Sequence, residues 1–133
     1  MGGVLTHLAA SLVGFLIAFI IFKKYKYGGS FVVGQLIPDT IKFGIPGIMF
    51  KTSSFNEIIS KPLFWTLNTY THSFWFWLVI CIIAGAITFA LYKMKKIKKE
   101  TFKTWLKMNI IFLVAIAIHL IIDAYVVEKS YWI

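Results

Sequence analysis

The sequence predicts an all-α, polytopic membrane helical bundle of about four segments, the second of them broken by Pro and Gly. Of the 133 residues, 59% are hydrophobic and only 14% are charged, whereas a soluble domain carries roughly 25% charged residues. Three apolar runs, residues 4–22, 74–92 and 109–127, are long enough to cross a bilayer as helices. Because no linker-like stretch divides the chain, we expect one transmembrane domain over residues 1–133.

The second segment, residues 31–50, has a different composition from the other three. It contains Pro38, Asp39, Lys42, Gly44, Pro46 and Gly47. A proline inside a helix removes one backbone donor and clashes with the preceding turn. Irregular backbone at membrane depth is tolerated where it is buried in protein or lines a cavity. The pattern therefore predicts a helix break in this segment.

The basic residues predict the orientation in the membrane. All 14 are lysines, and ten of them lie in residues 23–30 and 93–107. The positive-inside rule places both stretches in the cytoplasm, so both termini of this multi-pass cell-membrane protein are expected to face outward. Residues 93–107 are predicted to form a cytoplasmic surface helix. Membrane lipids are the expected partners; nucleic acid is not, because arginine, the residue best suited to bidentate phosphate and base contacts, is absent.

Two other features are interpreted structurally. Residues 51–70 are predicted to form an amphipathic loop on the membrane surface, and the aromatic run that begins at Phe74 is typical of an interfacial belt. Cys81, the only cysteine, lies in an apolar run and is expected to be a small buried hydrophobe.

Few ionisable residues occur within or beside the apolar segments, and such groups indicate a functional site because burying them in lipid is costly. They are His7, Asp39, Lys42, His72, His119 and Asp123. The predicted topology places most of them in the outer half of the membrane. His119 and Asp123 share a helix face at a spacing of four residues. His7 shares a face of the first helix with three small residues, which would allow close helix packing.

Three imidazoles and two carboxylates form a candidate ligand set for a divalent metal. Zinc is the first candidate, and manganese or iron also suits histidine with carboxylate. Asp39 and Asp123 are alternatively candidates for a supporting partner of a ligand or for a general base.

Local structural interpretations remain open for the same residues. His119 and Asp123 also suit an interhelical hydrogen bond, and His7 suits an interfacial position near a terminus. The Thr71-His72-Ser73 step is typical of a helix N-cap. Asp39 could cap a turn after a break at Pro38, and Lys42 could pair with Asp39 or extend to the interface.

Four motifs in order resemble the YdjM-type inner-membrane metal-dependent hydrolases. They are Thr6-His7, Leu36-Ile37-Pro38-Asp39, Thr71-His72-Ser73 and His119-Leu120-Ile121-Ile122-Asp123, with a similar tail at residues 127–133. The resemblance covers nearly the whole chain. It implies a short helical bundle with a metal site formed by His7, Asp39, His72, His119 and Asp123, and a relation to zinc-dependent phospholipase-like enzymes.

The sequence departs from that pattern at two places. Many relatives carry a second carboxylate directly after Pro-Asp, where this chain has Thr40, Ile41 and Lys42. Many also carry a basic residue and a glycine before the Thr-His-Ser step, where residues 68–70 stand here.

Two main hypotheses follow, from different classes of function. The first is a metal-dependent hydrolase-like protein with an outward-facing site, acting on a lipid headgroup or another phosphoester, in which Asp39 ligates the metal or acts as the catalytic base. The second is a degenerate, non-catalytic accessory subunit of a larger membrane complex. A small transporter that uses the polar groups as an ion path is a third.

Overall fold

The computed structural model describes residues 2–127, and every element within that range is helical. Met1 and residues 128–133, with most of the tail that resembles the hydrolase family, lie outside the described residues. The helices are α1 (Gly2–Phe22), α2 (Tyr25–Met49), α3 (Phe55–Ile59), α4 (Pro62–Thr71), α5 (Phe74–Lys93) and α6 (Lys99–Ile122), followed by a π-helical turn at Asp123–Val127. The all-α prediction is confirmed.

Three helices are long and apolar enough to cross a membrane: Leu5–Phe22, Phe74–Lys93 and Lys99–Tyr125. Each of them buries only a minor part of its surface within the bundle, as expected where the remaining surface faces lipid. The more polar α2 is not among these three. It packs against α1, α4 and α6 and is the central helix of the bundle.

The predicted break in the second segment is wrong, because α2 continues through both prolines. The buried side of α2 includes Phe31, Gln35, Pro38, Lys42 and Pro46, at the three- and four-residue spacing of one helix face. Both prolines are fully buried against neighbouring helices. We infer that packing on three sides outweighs the cost of about 3 kcal/mol for each interior proline.

Two connections also differ from the sequence prediction. Residues 51–70 contain the short helices α3 and α4 instead of a loop. The predicted surface helix at residues 93–107 is wrong, because α5 continues to Lys93 and α6 already begins at Lys99. Residues 99–107 of that lysine-rich stretch instead form the first turns of α6, which continues into the fourth apolar run.

Polar side chains tie α6 to its neighbours along its length. Gln35 Nε2 donates to the carbonyl of Ala115 at 2.6 Å, and Asn109 Nδ2 donates to the carbonyl of Cys81 at 2.7 Å. Buried donors that bond neighbouring backbone carbonyls set the depth of one helix against another. Cys81 is buried, as predicted.

The apolar core lies where α5 and α6 pack together. Trp77, Ile116 and Leu120 form its buried centre. The indole Nε1 of Trp77 donates to the carbonyl of Thr71 at 2.7 Å. This bond ties the end of α4 to the first turns of α5, and it thereby positions His72 in the two-residue connection between them.

Candidate metal centre

Four separate segments place ionisable side chains at one point in the bundle. His7 lies in the second turn of α1, and Asp39 and Lys42 lie on successive turns of α2. His72 caps the C-terminus of α4. His119 occupies the last turn of α6, and Asp123 ends that helix and begins the π-helical turn. Such π-helical turns occur frequently at functional sites.

The carboxylate of Asp123 meets all three imidazoles of the protein. His7 Nε2 lies 2.7 Å from Asp123 Oδ1. On the other oxygen, Oδ2, His72 Nε2 lies at 2.8 Å and His119 Nε2 at 3.2 Å. The Asp123 side chain is only 3% exposed. Asp123 is therefore the residue that holds the three histidines together.

Asp39 approaches the same cluster from α2. Its Oδ1 lies 3.8 Å from Nε2 of both His72 and His119. Asp39, His72, His119 and Asp123 each offer one ligand atom, and these atoms all lie within 4.8 Å of one another. These four residues form a His/Asp group that could hold a metal ion.

The four histidine–carboxylate separations in this group are close to those around a small divalent ion. Bonds of roughly 2.0–2.2 Å to nitrogen and oxygen give about 3.4 Å between neighbouring ligand atoms of a tetrahedral zinc site. Here the distances from Nε2 of His72 and His119 to the carboxylate oxygens of Asp39 and Asp123 range from 2.8 to 3.8 Å. The donor types, two imidazoles and two carboxylates, also suit zinc, manganese or iron.

His119 provides the most direct indication that a cation belongs in this group. Its side chain is fully buried; Nδ1 has no hydrogen-bond partner within residues 2–127, whereas Nε2 lies 3.2 Å from Asp123 Oδ2. Nε2 faces the two carboxylates, while the ring stacks on His7 with centroids 4.2 Å apart. An imidazole nitrogen buried between two carboxylates is a suitable metal ligand, so Nε2 is well placed to bind a divalent ion.

The environment of His72 suits the same role. Its Nδ1 lies 3.1 Å from Thr71 Oγ1, so a proton on Nδ1 can be donated to that hydroxyl. Nε2 then keeps its lone pair and points at the cluster. Metal-ligating histidines are typically oriented by such a bond at the second ring nitrogen. Thr71 is itself held by Trp77, a contribution that the apolar pattern of the sequence did not reveal.

Lys42 is the cationic member of the cluster. Its Nζ lies 2.9 Å from Asp39 Oδ1 and 2.9 Å from His72 Nε2, and the side chain is 3% exposed. The pairing of Lys42 with Asp39, one of the open interpretations of the sequence, is confirmed. The additional contact with a histidine follows only from the meeting of α2 with the end of α4.

The cluster lies toward one end of the bundle. His7 and Asp39 are each about 21–23 Å from the turn that joins α1 and α2, at 1.5 Å of rise per residue. With this turn at one surface of a hydrocarbon core about 30 Å thick, the site is expected nearer the opposite surface. Asp39 retains a 31% exposed side chain and is the most accessible of the four residues.

The structure brings all five sequence-predicted site residues together, with one difference in position. His7 is not part of the four-residue group, because it contacts the far oxygen of Asp123. The N-cap interpretation of the Thr-His-Ser step is confirmed: Ser73 caps α5 and accepts from the backbone N–H of Phe76. Asp39 does not cap a break, since it lies inside α2.

Fold and site together define a helical bundle with membrane-spanning segments and a possible His/Asp metal centre. No protein-family model, curated protein or solved structure matches this chain. The resemblance to YdjM-type hydrolases therefore depends on the ordered motifs alone.

Proposed function

We propose that this chain is a membrane-embedded, metal-dependent hydrolase that acts on a lipid headgroup or another phosphoester. The observation that carries the proposal is the convergence of four ligand atoms within 4.8 Å, one of them the fully buried Nε2 of His119. Ionisable groups at membrane depth are costly and are typically functional. The ordered motifs shared with YdjM-type hydrolases point to the same chemistry.

His72, His119 and Asp123 would hold the metal, with zinc as the first candidate, and Asp39 would either be a fourth ligand or act as the base. His7 would orient the carboxylate of Asp123 through its far oxygen. When bound, a divalent ion supplies Lewis-acid polarisation of a phosphoryl oxygen and a nucleophile at neutral pH. Asp39, the most exposed of the four, is also the best placed to accept a proton from an attacking water.

Two features support a phosphoester at headgroup level as the substrate. The cluster lies toward one end of the bundle, so it is expected nearer one membrane surface than the other. Lys42 adds a positive charge beside two carboxylates, so that a divalent ion would leave the site with a net positive charge. A positive site favours an anionic phosphate over a neutral ester.

The test is the metal content of the full-length protein, purified in detergent without chelators and measured by mass spectrometry. Near-stoichiometric metal is expected, with a sharp fall in His119→Ala and in Asp123→Asn. Asn109→Ala is the matched control, because it removes a polar contact on the same helix away from the cluster. Metal-dependent release of phosphate or headgroup from lipid and soluble phosphoesters then tests the reaction; full activity without metal would refute it.

A non-catalytic accessory subunit of a larger membrane complex is the second candidate. The specific observation that favours it is Lys42, whose ammonium contacts two ligand atoms and compensates carboxylate charge without any metal. The accessory-subunit hypothesis predicts that the purified protein contains no metal and that it co-purifies stoichiometrically with larger membrane subunits. An isolated, metal-loaded and active chain would exclude it.

A further inference from the structure

Lys42 is the least expected residue in the cluster. It lies on the buried face of α2, and its side chain is as inaccessible as that of Asp123. An ammonium at membrane depth is costly unless it is paired. Here it has an ion pair with Asp39, and its Nζ lies 5.2 Å from the centre of the Phe43 ring.

The ammonium and a metal ion need the same two atoms. Lys42 Nζ lies 2.9 Å from Asp39 Oδ1 and 2.9 Å from His72 Nε2, both in residues of the four-member group. A hydrogen bond from the ammonium to His72 uses the lone pair on Nε2 that a metal would require. Both cations cannot hold that lone pair at once.

The charges of the cluster also favour a cation at the position that the Lys42 ammonium occupies. Asp39 and Asp123 contribute two negative charges, of which the ammonium compensates one. Without it, the two carboxylates would lie together with only the imidazoles to offset their charge. With it, the ligand atoms can stay close together in the absence of metal.

We propose that Lys42 is a tethered placeholder cation. Its ammonium occupies the Asp39 and His72 ligand atoms while metal is absent, and it must leave them before a divalent ion binds. The inference rests on the metal centre of the proposed function and adds a regulatory property to it. Lys42 lowers the metal affinity of the centre and keeps the empty centre assembled.

The test compares binding of Zn²⁺ and Mn²⁺ to the full-length, metal-stripped protein in detergent by titration calorimetry. Lys42→Met removes the charge and keeps the length of the side chain. We expect it to bind metal about 10- to 1,000-fold more tightly than the native chain, the range by which a contacting charge changes the proton affinity of a carboxylate. Lys103→Met is the matched control, because it removes an exposed lysine far from the cluster.

Two further variants separate charge from folding and shape. Lys42→Gln is also uncharged but retains a donor for Asp39, so it should bind metal more tightly even if Lys42→Met folds poorly. Lys42→Arg keeps the charge and should show no gain in affinity. Equal or weaker metal binding by both uncharged variants would overturn the placeholder role.

The outcomes also distinguish this inference from the proposed function. Metal binding that is equal in the native chain and in Lys42→Gln would refute the placeholder and leave the metal centre standing. Binding by the uncharged variants alone would support the placeholder and favour the accessory-subunit candidate. Metal binding by none of the folded proteins would refute the metal centre and the placeholder together.

Discussion

At the scale of single residues, Asp123 determines how the site is built. One of its oxygens meets His7, and the other meets His72 and His119. The three histidines therefore differ in which oxygen of Asp123 they contact. His72 and His119 direct Nε2 toward Asp39, whereas His7 supports the carboxylate from behind.

This difference in contacts predicts different consequences for two histidine variants. His119→Ala should abolish metal binding, because it removes a ligand atom. His7→Ala should weaken binding by about 10- to 100-fold, the usual effect of losing a residue that orients a ligand. Titration of the purified variants with Zn²⁺ measures both effects.

Ser11→Ala is the control for His7→Ala, since Ser11 lies one turn further on the same buried face of α1. It should leave metal affinity nearly unchanged. Equal loss of binding in His7→Ala and His119→Ala would instead make His7 a direct ligand, as the sequence motifs imply.

At the scale of secondary structure, α2 positions the centre through its close contact with α6. Gly34 makes this approach possible: a Cβ at this position would lie 2.6 Å from the carbonyl oxygen of Phe112 and 2.7 Å from Ala115 Cβ. One residue further, Gln35 donates to the carbonyl of Ala115. The two contacts set the depth at which Asp39 meets the end of α6.

Gly34→Ala should therefore destabilise the bundle by about 1–3 kcal/mol, the usual cost of overpacking a close contact. The separation of α2 from α6 should also weaken metal binding. Reversible unfolding in mixed detergent measures the stability, and a Zn²⁺ titration measures the second effect.

Gly29→Ala is the matched control on the same helix, because a Cβ at Gly29 would meet nothing within 4 Å. There alanine should leave the stability unchanged or raise it by up to about 1 kcal/mol through helix propensity. Similar losses of stability in both variants would contradict the close-contact explanation.

At the scale of the whole molecule, the His/Asp cluster and the two lysine-rich stretches lie toward opposite ends of the bundle. Residues 23–30 and 93–107, which include the α1–α2 turn and the α5–α6 connection, contain ten of the 14 lysines. The cluster lies where α5 begins and α6 ends. If the positive-inside rule holds for this chain, the site faces outward and meets the outer leaflet or the medium beyond it.

This orientation can be tested by thiol labelling, because the native chain has a single, buried cysteine, Cys81. Lys96→Cys and Ser53→Cys introduce exposed thiols at the two ends of the bundle. In right-side-out vesicles a membrane-impermeant maleimide should label Ser53→Cys and not Lys96→Cys. Inside-out vesicles should show the reverse, and the native chain should remain unlabelled in both. The opposite pattern would place the cluster on the cytoplasmic side.

Local patterns in the sequence were enough to predict the helical class and the candidate site residues. Apolar runs of spanning length predict helices because hydropathy and helix length are local properties. The four-residue spacing of His119 and Asp123 predicts a shared face for the same reason. Rare ionisable residues in such runs mark the site because their burial is costly wherever the helices pack.

Tertiary structure decided the relations between helices. The sequence predicted a break at Pro38, but packing of α2 on three sides keeps the helix continuous. The sequence also could not show that His7 contacts the far oxygen of Asp123, or that Lys42 contacts His72. These contacts depend on the rotation and depth of each helix, which are set by meetings between distant residues such as Gln35 with Ala115 and Trp77 with Thr71. No local sequence pattern encodes these long-range contacts, because each forms only when the whole bundle packs.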